Sequence, residues 1–250
     1  GDIYFIANQQ EETRTFTASM RIDGRKPECW NPVTGEITAD IPYEQKNYRT
    51  EITLTLAPNE SVFIVYPAEE DYKETPEKGR KEKKDSVKEP SETGLEATEY
   101  TVTFTANGKT IQRQELFDWS KEDEQIRYYS GTVVYKTTFR WKSKVKEAQQ
   151  VYLNLGKVCD LATVRVNGID CGTIWTAPYR ADITAALKKG VNELEIEVTN
   201  TWANALKGAD EGKAPFDGIW TNAKYRKAEN TLLPAGLLGP LNFEVANKNK

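Results

Sequence analysis

The chain has 250 residues, 38% apolar and 29% charged, with a formal net charge of −4 and no histidine. That length suits one large domain or two ordinary ones. The missing histidine excludes Ser-His-Asp and Cys-His triads, histidine general bases and every histidine-containing zinc site. An enzyme hypothesis keeps only carboxylate, Tyr or Lys chemistry.

The acidic balance argues against a nucleic-acid partner, which needs a concentrated basic face. No apolar run approaches the ~20 residues of a membrane span. In chain order, Gly1-Asp2-Ile3-Tyr4-Phe5 enters a strand pattern with no signal peptide before it, and reads as the start of a piece of a longer chain. Residues 15–22, 51–56, 100–104 and 192–198 alternate apolar and polar side chains. A period of two buries one face and wets the other, the habit of antiparallel sheets. Ser61-Val62-Phe63-Ile64-Val65 is apolar on both faces and reads as a central strand. Asn31-Pro32-Val33-Thr34-Gly35 predicts a tight connection, and Val166-Asn167-Gly168-Ile169 a two-residue type I′ hairpin. One short helix is expected, with Asp182 as N-cap, Ile183 to Lys188 as its body and Gly190 past its end. Many short strands joined by turns predict a sandwich or jelly roll.

Residues 68–97 break the pattern with ten acidic and seven basic residues, two prolines and one aromatic ring, Tyr72. Such a segment cannot bury enough apolar surface to offset the entropy of ordering. It is expected to be a linker or surface excursion, and its cluster at 78–84 a solvated run rather than a basic binding patch. The chain is therefore all-β: a small antiparallel β-sandwich of about six strands at 1–67, then a larger jelly-roll sandwich at 98–250. A 67-residue β domain is marginal alone and is expected to lean on a neighbour. The cysteines, Cys29, Cys159 and Cys171, are odd in number and read as buried apolar thiols.

The larger domain carries an ordered series of turn and core motifs. Leu116-Phe117-Asp118-Trp119 leads to 126–136, then to Leu153-Asn154-Leu155-Gly156-Lys157-Val158 and Ala162-Thr163-Val164-Arg165-Val166-Asn167-Gly168. Gly172-Thr173-Ile174-Trp175, Pro178-Tyr179-Arg180, Thr199-Asn200-Thr201-Trp202 and Gly236-Leu237-Leu238-Gly239-Pro240 follow. This order resembles the galactose-binding-like jelly roll of the glycoside hydrolase family 2 sugar-binding type. It looks most like the version at the C-terminal end of α-L-rhamnosidase-like enzymes of glycoside hydrolase family 106. Residues 2–8 and 28–36 are similar to the segment that follows the catalytic barrel in that family. The resemblance implies a non-catalytic accessory region of a secreted or periplasmic enzyme. Its partners would be an oligosaccharide or polysaccharide and the catalytic domain of the parent. It also implies that the catalytic carboxylates lie upstream, so no catalytic residue is assigned. Jelly rolls of this kind often hold a structural calcium ion, for which no ligands are named; no other cofactor is expected.

Sugar sites join an aromatic platform to polar groups that bond hydroxyls. Three places offer both: Trp175 with Tyr179 and Arg180; Trp202 with Asn200 and Asn204; and Phe216, Asp217 and Trp220 in the Gly-rich stretch 208–222. Trp175 reads more readily as a packing residue that closes the sandwich. Trp202 is balanced between packing and exposure. The loop of Trp220 is the least core-like and the best single candidate for contact with a ligand or another domain. Asp118 with Glu122, Asp210 with Glu211, and Asp217 are expected to be solvated surface rather than an acid/base pair. A cell-surface protein-interaction module with the same sandwich and no sugar role is the competing reading.

Overall fold

The computed structural model describes residues 1–68, 91–95, 97, 99–222 and 231–247. The charged stretch from 69 to 90, including the basic cluster at 78–84, lies outside the described residues. The chain separates into two compact units, 1–88 and 89–250.

The smaller unit is an all-β sandwich. Its strands are β1 (Asp2–Ala7), β2 (Arg14–Met20), β3 (Glu28–Trp30), β4 (Ile37–Thr38), β5 (Glu44–Lys46), β6 (Arg49–Leu56) and β7 (Ser61–Tyr66). One sheet has the order β1-β7-β3-β4 and the other β2-β6-β5. The doubly apolar β7 is indeed a central strand. Alternation in β6 buries Ile52, Leu54 and Leu56 against Val62, Ile64 and Tyr66 of β7. The opposite face of β6 pairs hydroxyls with β2, Thr15 to Thr55 at 2.9 Å and Thr17 to Thr53 at 3.3 Å. The turn at Asn31 forms as expected: its side-chain oxygen accepts from the amides of Val33 and Thr34.

The larger unit contains β8 (Ser91–Gly94), β9 (Tyr100–Phe104), β10 (Thr110–Arg113), α1 (Glu124–Arg127), β11 (Thr132–Trp141), β12 (Gln149–Asn154), β13 (Lys157–Cys159), β14 (Leu161–Val166) and β15 (Ile169–Ile174). After these come β16 (Arg180–Asp182), β17 (Gly190–Thr199), α2 (Ala203–Asp210), β18 (Gly236–Gly239) and β19 (Asn242–Asn247). A six-stranded sheet, β10-β9-β11-β17-β14-β15, and a four-stranded one, β16-β12-β19-β8, enclose one core, with the pair β13-β18 beside them. The stretch expected to link the domains thus ends earlier than 97, because β8 pairs with β19 as an edge strand. The hairpin between β14 and β15 turns at Asn167 and Gly168, with φ of 53° and 78°, the type I′ signature.

The one expected helix is cut short. Ile183 to Lys188 makes a single turn, although Asp182 caps it by accepting from the Thr184 amide at 2.9 Å. The side chain of the buried Asn192 accepts from the Lys188 amide and donates to the carbonyls of Lys188 and Gly190. Asn167 donates to the Ala186 carbonyl. These amides take over the backbone groups that a longer helix would have paired, and turn the chain into β17. The longest helix among the described residues, α2, instead occupies a stretch for which no helix was expected.

The segment 235–237 is fastened to the core through Asp118, Trp119 and Tyr135. Asp118 Oδ1 accepts from the Ala235 amide at 3.0 Å, and the Trp119 amide donates to the Ala235 carbonyl at 2.9 Å. The fully buried Trp119 donates through Nε1 to the Tyr135 hydroxyl at 2.6 Å, and that hydroxyl also accepts from the Leu237 amide at 3.4 Å. Burial pushes the Tyr135 phenol far up, so it stays protonated. Gly236 lies flat on the indole: a Cβ there would stand 2.5 Å from Trp119 Nε1, and its φ is +106°. Gly156 likewise approaches the Gly239 backbone too closely for any side chain. Gly236→Ala is expected to cost about 3 kcal/mol from backbone strain and overpacking combined. Denaturant unfolding checks this; a cost under ~1 kcal/mol contradicts the close approach.

Candidate functional site

Aromatic rings run from the core of the larger domain to its surface. Phe104, Trp119 and Tyr129 form a triangle with centroids 4.8 to 5.9 Å apart, all in edge contact. Tyr129 meets Phe216 at 6.1 Å, and Phe216 meets Trp202 at 6.2 Å. Trp119 and Tyr129 are fully buried, whereas Trp202 is 52% exposed. The exposed indole therefore rests on a ring fixed by the core.

Strand register brings a second indole to the same end of the six-stranded sheet. Ile174, Ala162 and Val198 stand side by side on β15, β14 and β17. Trp175 follows Ile174 directly, and Trp202 lies three residues beyond the end of β17. Trp175 is 57% exposed, so the expectation that it closes the sandwich is corrected. Its neighbour position holds Leu161, itself an exposed apolar residue. Trp220, in the loop after Phe216, is 78% exposed.

The polar partners expected beside these rings are engaged elsewhere. Asn204 is buried; its Nδ2 donates to the Leu233 carbonyl and its Oδ1 accepts from the Leu233 amide, each at 2.8 Å. Asn200 accepts from the Gly131 amide and donates to the Tyr129 carbonyl. Both are clamps between loops. Tyr179 is half-buried and packs on the core, where burial raises its phenol. Arg180 points away from it: its Nη1 reaches Glu244 Oε1 at 3.1 Å, and its guanidinium lies 4.6 Å from the centre of the Tyr152 ring. Trp175, Tyr179 and Arg180 therefore do not form one site. Asp217 is exposed, in the same loop as Trp220.

The carboxylates have structural partners. Asp118 accepts from the Ser120 amide and hydroxyl as well as from Ala235. Glu122 pairs with Arg113 at 2.7 Å. Glu211 accepts from the Tyr128 hydroxyl at 2.7 Å, which holds its carboxyl below the usual range. Among the described residues, no three His, Cys, Asp or Glu side chains converge where a metal ion would sit. The thiols are free: Cys159 is buried, as expected, whereas Cys29 and Cys171 are only half-buried, which corrects the expectation for those two. Burial raises each of the three.

A polar trough of about 470 Å³ lies on the outer face of the six-stranded sheet. Glu99, Thr101, Lys136, Arg165, Glu193 and Glu195 help to line it, with no aromatic ring. Lys136 and Arg165 both grip Glu195, at 2.9 and 3.0 Å, and Arg165 also reaches Glu197 at 2.6 Å. Lys136 first, and then Arg165, hold the Glu195 carboxyl below its usual range. Sequence reasoning missed this ladder, although the alternation of Glu193, Glu195 and Glu197 along one strand was its signal.

The model of the glycosyl hydrolase 2 galactose-binding domain-like family matches residues 83–232. The chain belongs to this family. The alpha-L-rhamnosidase family model matches residues 1–45 of this galactose-binding-like chain. The rhamnosidase structure from Novosphingobium sp. PP1Y is similar over 97% of the chain and 22% of its own length, with 34% identity and a TM-score of 0.70. A protein of Formosa agariphila, described as "Putative beta-glucuronidase", is 34% identical over 234 residues, 82% of this chain and 20% of its own length. The galactose-binding-like chain thus spans about a fifth of the length of these two relatives. No helix among the described residues is long and apolar enough to cross a membrane.

Asn204→Ala is expected to destabilise the larger domain by about 2 kcal/mol, because it removes both hydrogen bonds by which the buried Asn204 side chain holds the Leu233 backbone. Chemical denaturation measures it. Unchanged stability contradicts the clamp role.

Proposed function

We propose that this chain is the accessory β-sandwich region of a glycoside hydrolase, outside the cell membrane in a secreted or periplasmic enzyme, and that its larger domain contacts carbohydrate at the tryptophan end. The single observation that carries this reading is the ring series ending in Trp202. A half-exposed indole braced from the core through Phe216 is a rigid platform for the apolar face of a pyranose, with little ordering cost on binding. Trp175 leaves the same end of the sheet and widens that surface. Trp220 belongs to the adjoining loop. The Asn side chains of this end clamp loops rather than reach outward, so stacking dominates and affinity is weak.

The chain supplies no catalytic pair in this reading. Asp118, Glu122 and Glu211 are held in structural hydrogen bonds and ion pairs, and the reacting carboxylates belong to another part of a parent enzyme. The smaller domain supports that part. The similarity to a solved rhamnosidase over nearly the whole chain favours rhamnose-containing glycans as the substrate class.

Titration with rhamnose-containing oligosaccharides tests the binding. Intrinsic tryptophan fluorescence and calorimetry are expected to give a Kd of about 1 mM, near −4 kcal/mol. Trp202→Ala is expected to weaken it at least tenfold with the unfolding midpoint unchanged. Flat responses at millimolar ligand contradict the reading and favour the protein-interaction module. Equal binding by Trp202→Ala together with loss of binding on changing Arg165 also contradicts the reading, and would move the carbohydrate contact to the trough.

A further inference from the structure

The two sheets of the smaller domain turn opposite kinds of surface to solvent. The three-stranded sheet presents threonines from β2 and β6, as an antiparallel sheet wetted on one face should. The four-stranded sheet does not. Register aligns Phe5 with Phe63, Phe63 with Trp30, and Trp30 with Ile37, an apolar row crossing all four strands. Ile3, opposite Val65, stands in the next row on the same face. The core side of these strands is taken by Tyr4, Ile6, Cys29, Ile64 and Tyr66, so the row points away from the core. Ile3 is 65% exposed, Phe5 61%, Ile37 54% and Trp30 37%. The face is also ordered: Phe5 and Phe63 meet at 5.1 Å, and the Trp30 indole donates to Glu28 Oε2 at 2.8 Å.

We propose that this face docks the catalytic domain of the parent enzyme, joined to it in one polypeptide. Four exposed side chains of this size offer a few hundred Å² of apolar surface. A separate partner or a second copy needs about 800 Å² per side for a stable complex. Contacts between domains of one chain succeed with roughly 300–750 Å² per side, because the tether supplies an effective concentration in the millimolar range. The strands that supply Ile3, Phe5, Trp30 and Ile37 all lie within residues 1–45, the stretch matched by the alpha-L-rhamnosidase family model. Relatives carry about four fifths of their length beyond the region shared with this chain, room for such a domain. The identity of the docked domain rests on the function proposed above; the presence of a covering domain does not.

The test places Phe5→Thr and Ile37→Thr together, copying the outer face of the other sheet, in the full-length polypeptide that carries this chain and in the 250-residue chain. The unfolding midpoint of the full-length protein is expected to fall by about 5 °C, with faster hydrogen exchange in β1 and β4, and the midpoint of the shorter chain to stay. No change in either protein overturns the proposal. An equal fall in both overturns it too, because the face then packs within this chain. A dimer of the 250-residue chain that the double variant splits assigns the face to a second copy and overturns it as well. Glycosidase activity of the full-length protein is read separately: its absence defeats the proposed function, while the comparison of midpoints still reports on docking.

Discussion

The indole of Trp119 and the phenol of Tyr135 meet at 2.6 Å inside the larger domain, and much of that domain is arranged around the contact. Both groups are out of water, so each must find its partner there; leaving either unpaired costs about 1–3 kcal/mol. The hydroxyl takes the Leu237 amide as well, and Asp118 takes the Ala235 amide, so the last strands are tied to a turn more than 100 residues earlier in sequence. Gly236 is required because nothing larger fits over the indole. From Trp119 the packing passes edge to edge through Tyr129 and Phe216 to Trp202. Core and candidate site are therefore parts of one aromatic assembly.

That assembly explains why exposed rings at this end keep a defined position. Asn200 and Asn204, which look like sugar-binding amides in the sequence, hold the loops instead. α2 starts without a capping side chain at Trp202, and the buried Ser130 hydroxyl accepts from the Ala205 amide in its place. Gly208 lets the helix sit against Tyr128. The site is thus made by long-range contacts, with few local signals.

This division sets what could be read in advance. Strands with period-two alternation, such as β6, β9 and β17, and the Asn-Gly hairpin are local patterns, and they were legible. The order of motifs was enough to point to the galactose-binding-like family. α2 was hidden, because a tryptophan at its N-cap and a glycine in its body oppose local helix propensity and tertiary packing wins. The short helix after Asp182 was over-read, because Asn167 and Asn192 act from 15 or more and 4 residues away on the carbonyls of that turn. Trp175, Trp202 and Trp220 were named as candidates from residue type, but their exposure depends on strand ends and ring contacts that have no sequence signature. Tyr179 and Arg180 are adjacent in sequence, but Tyr179 packs on the core just before β16 while Arg180 opens that strand and turns to Glu244 and Tyr152.

The central claim is that this chain serves a glycosidase without performing its chemistry. The most direct measurement is turnover of an aryl α-L-rhamnoside by the purified 250-residue chain. The account predicts no rate above that of buffer. Turnover that a single Asp or Glu substitution abolishes would contradict it, and would make this sandwich an enzyme in its own right.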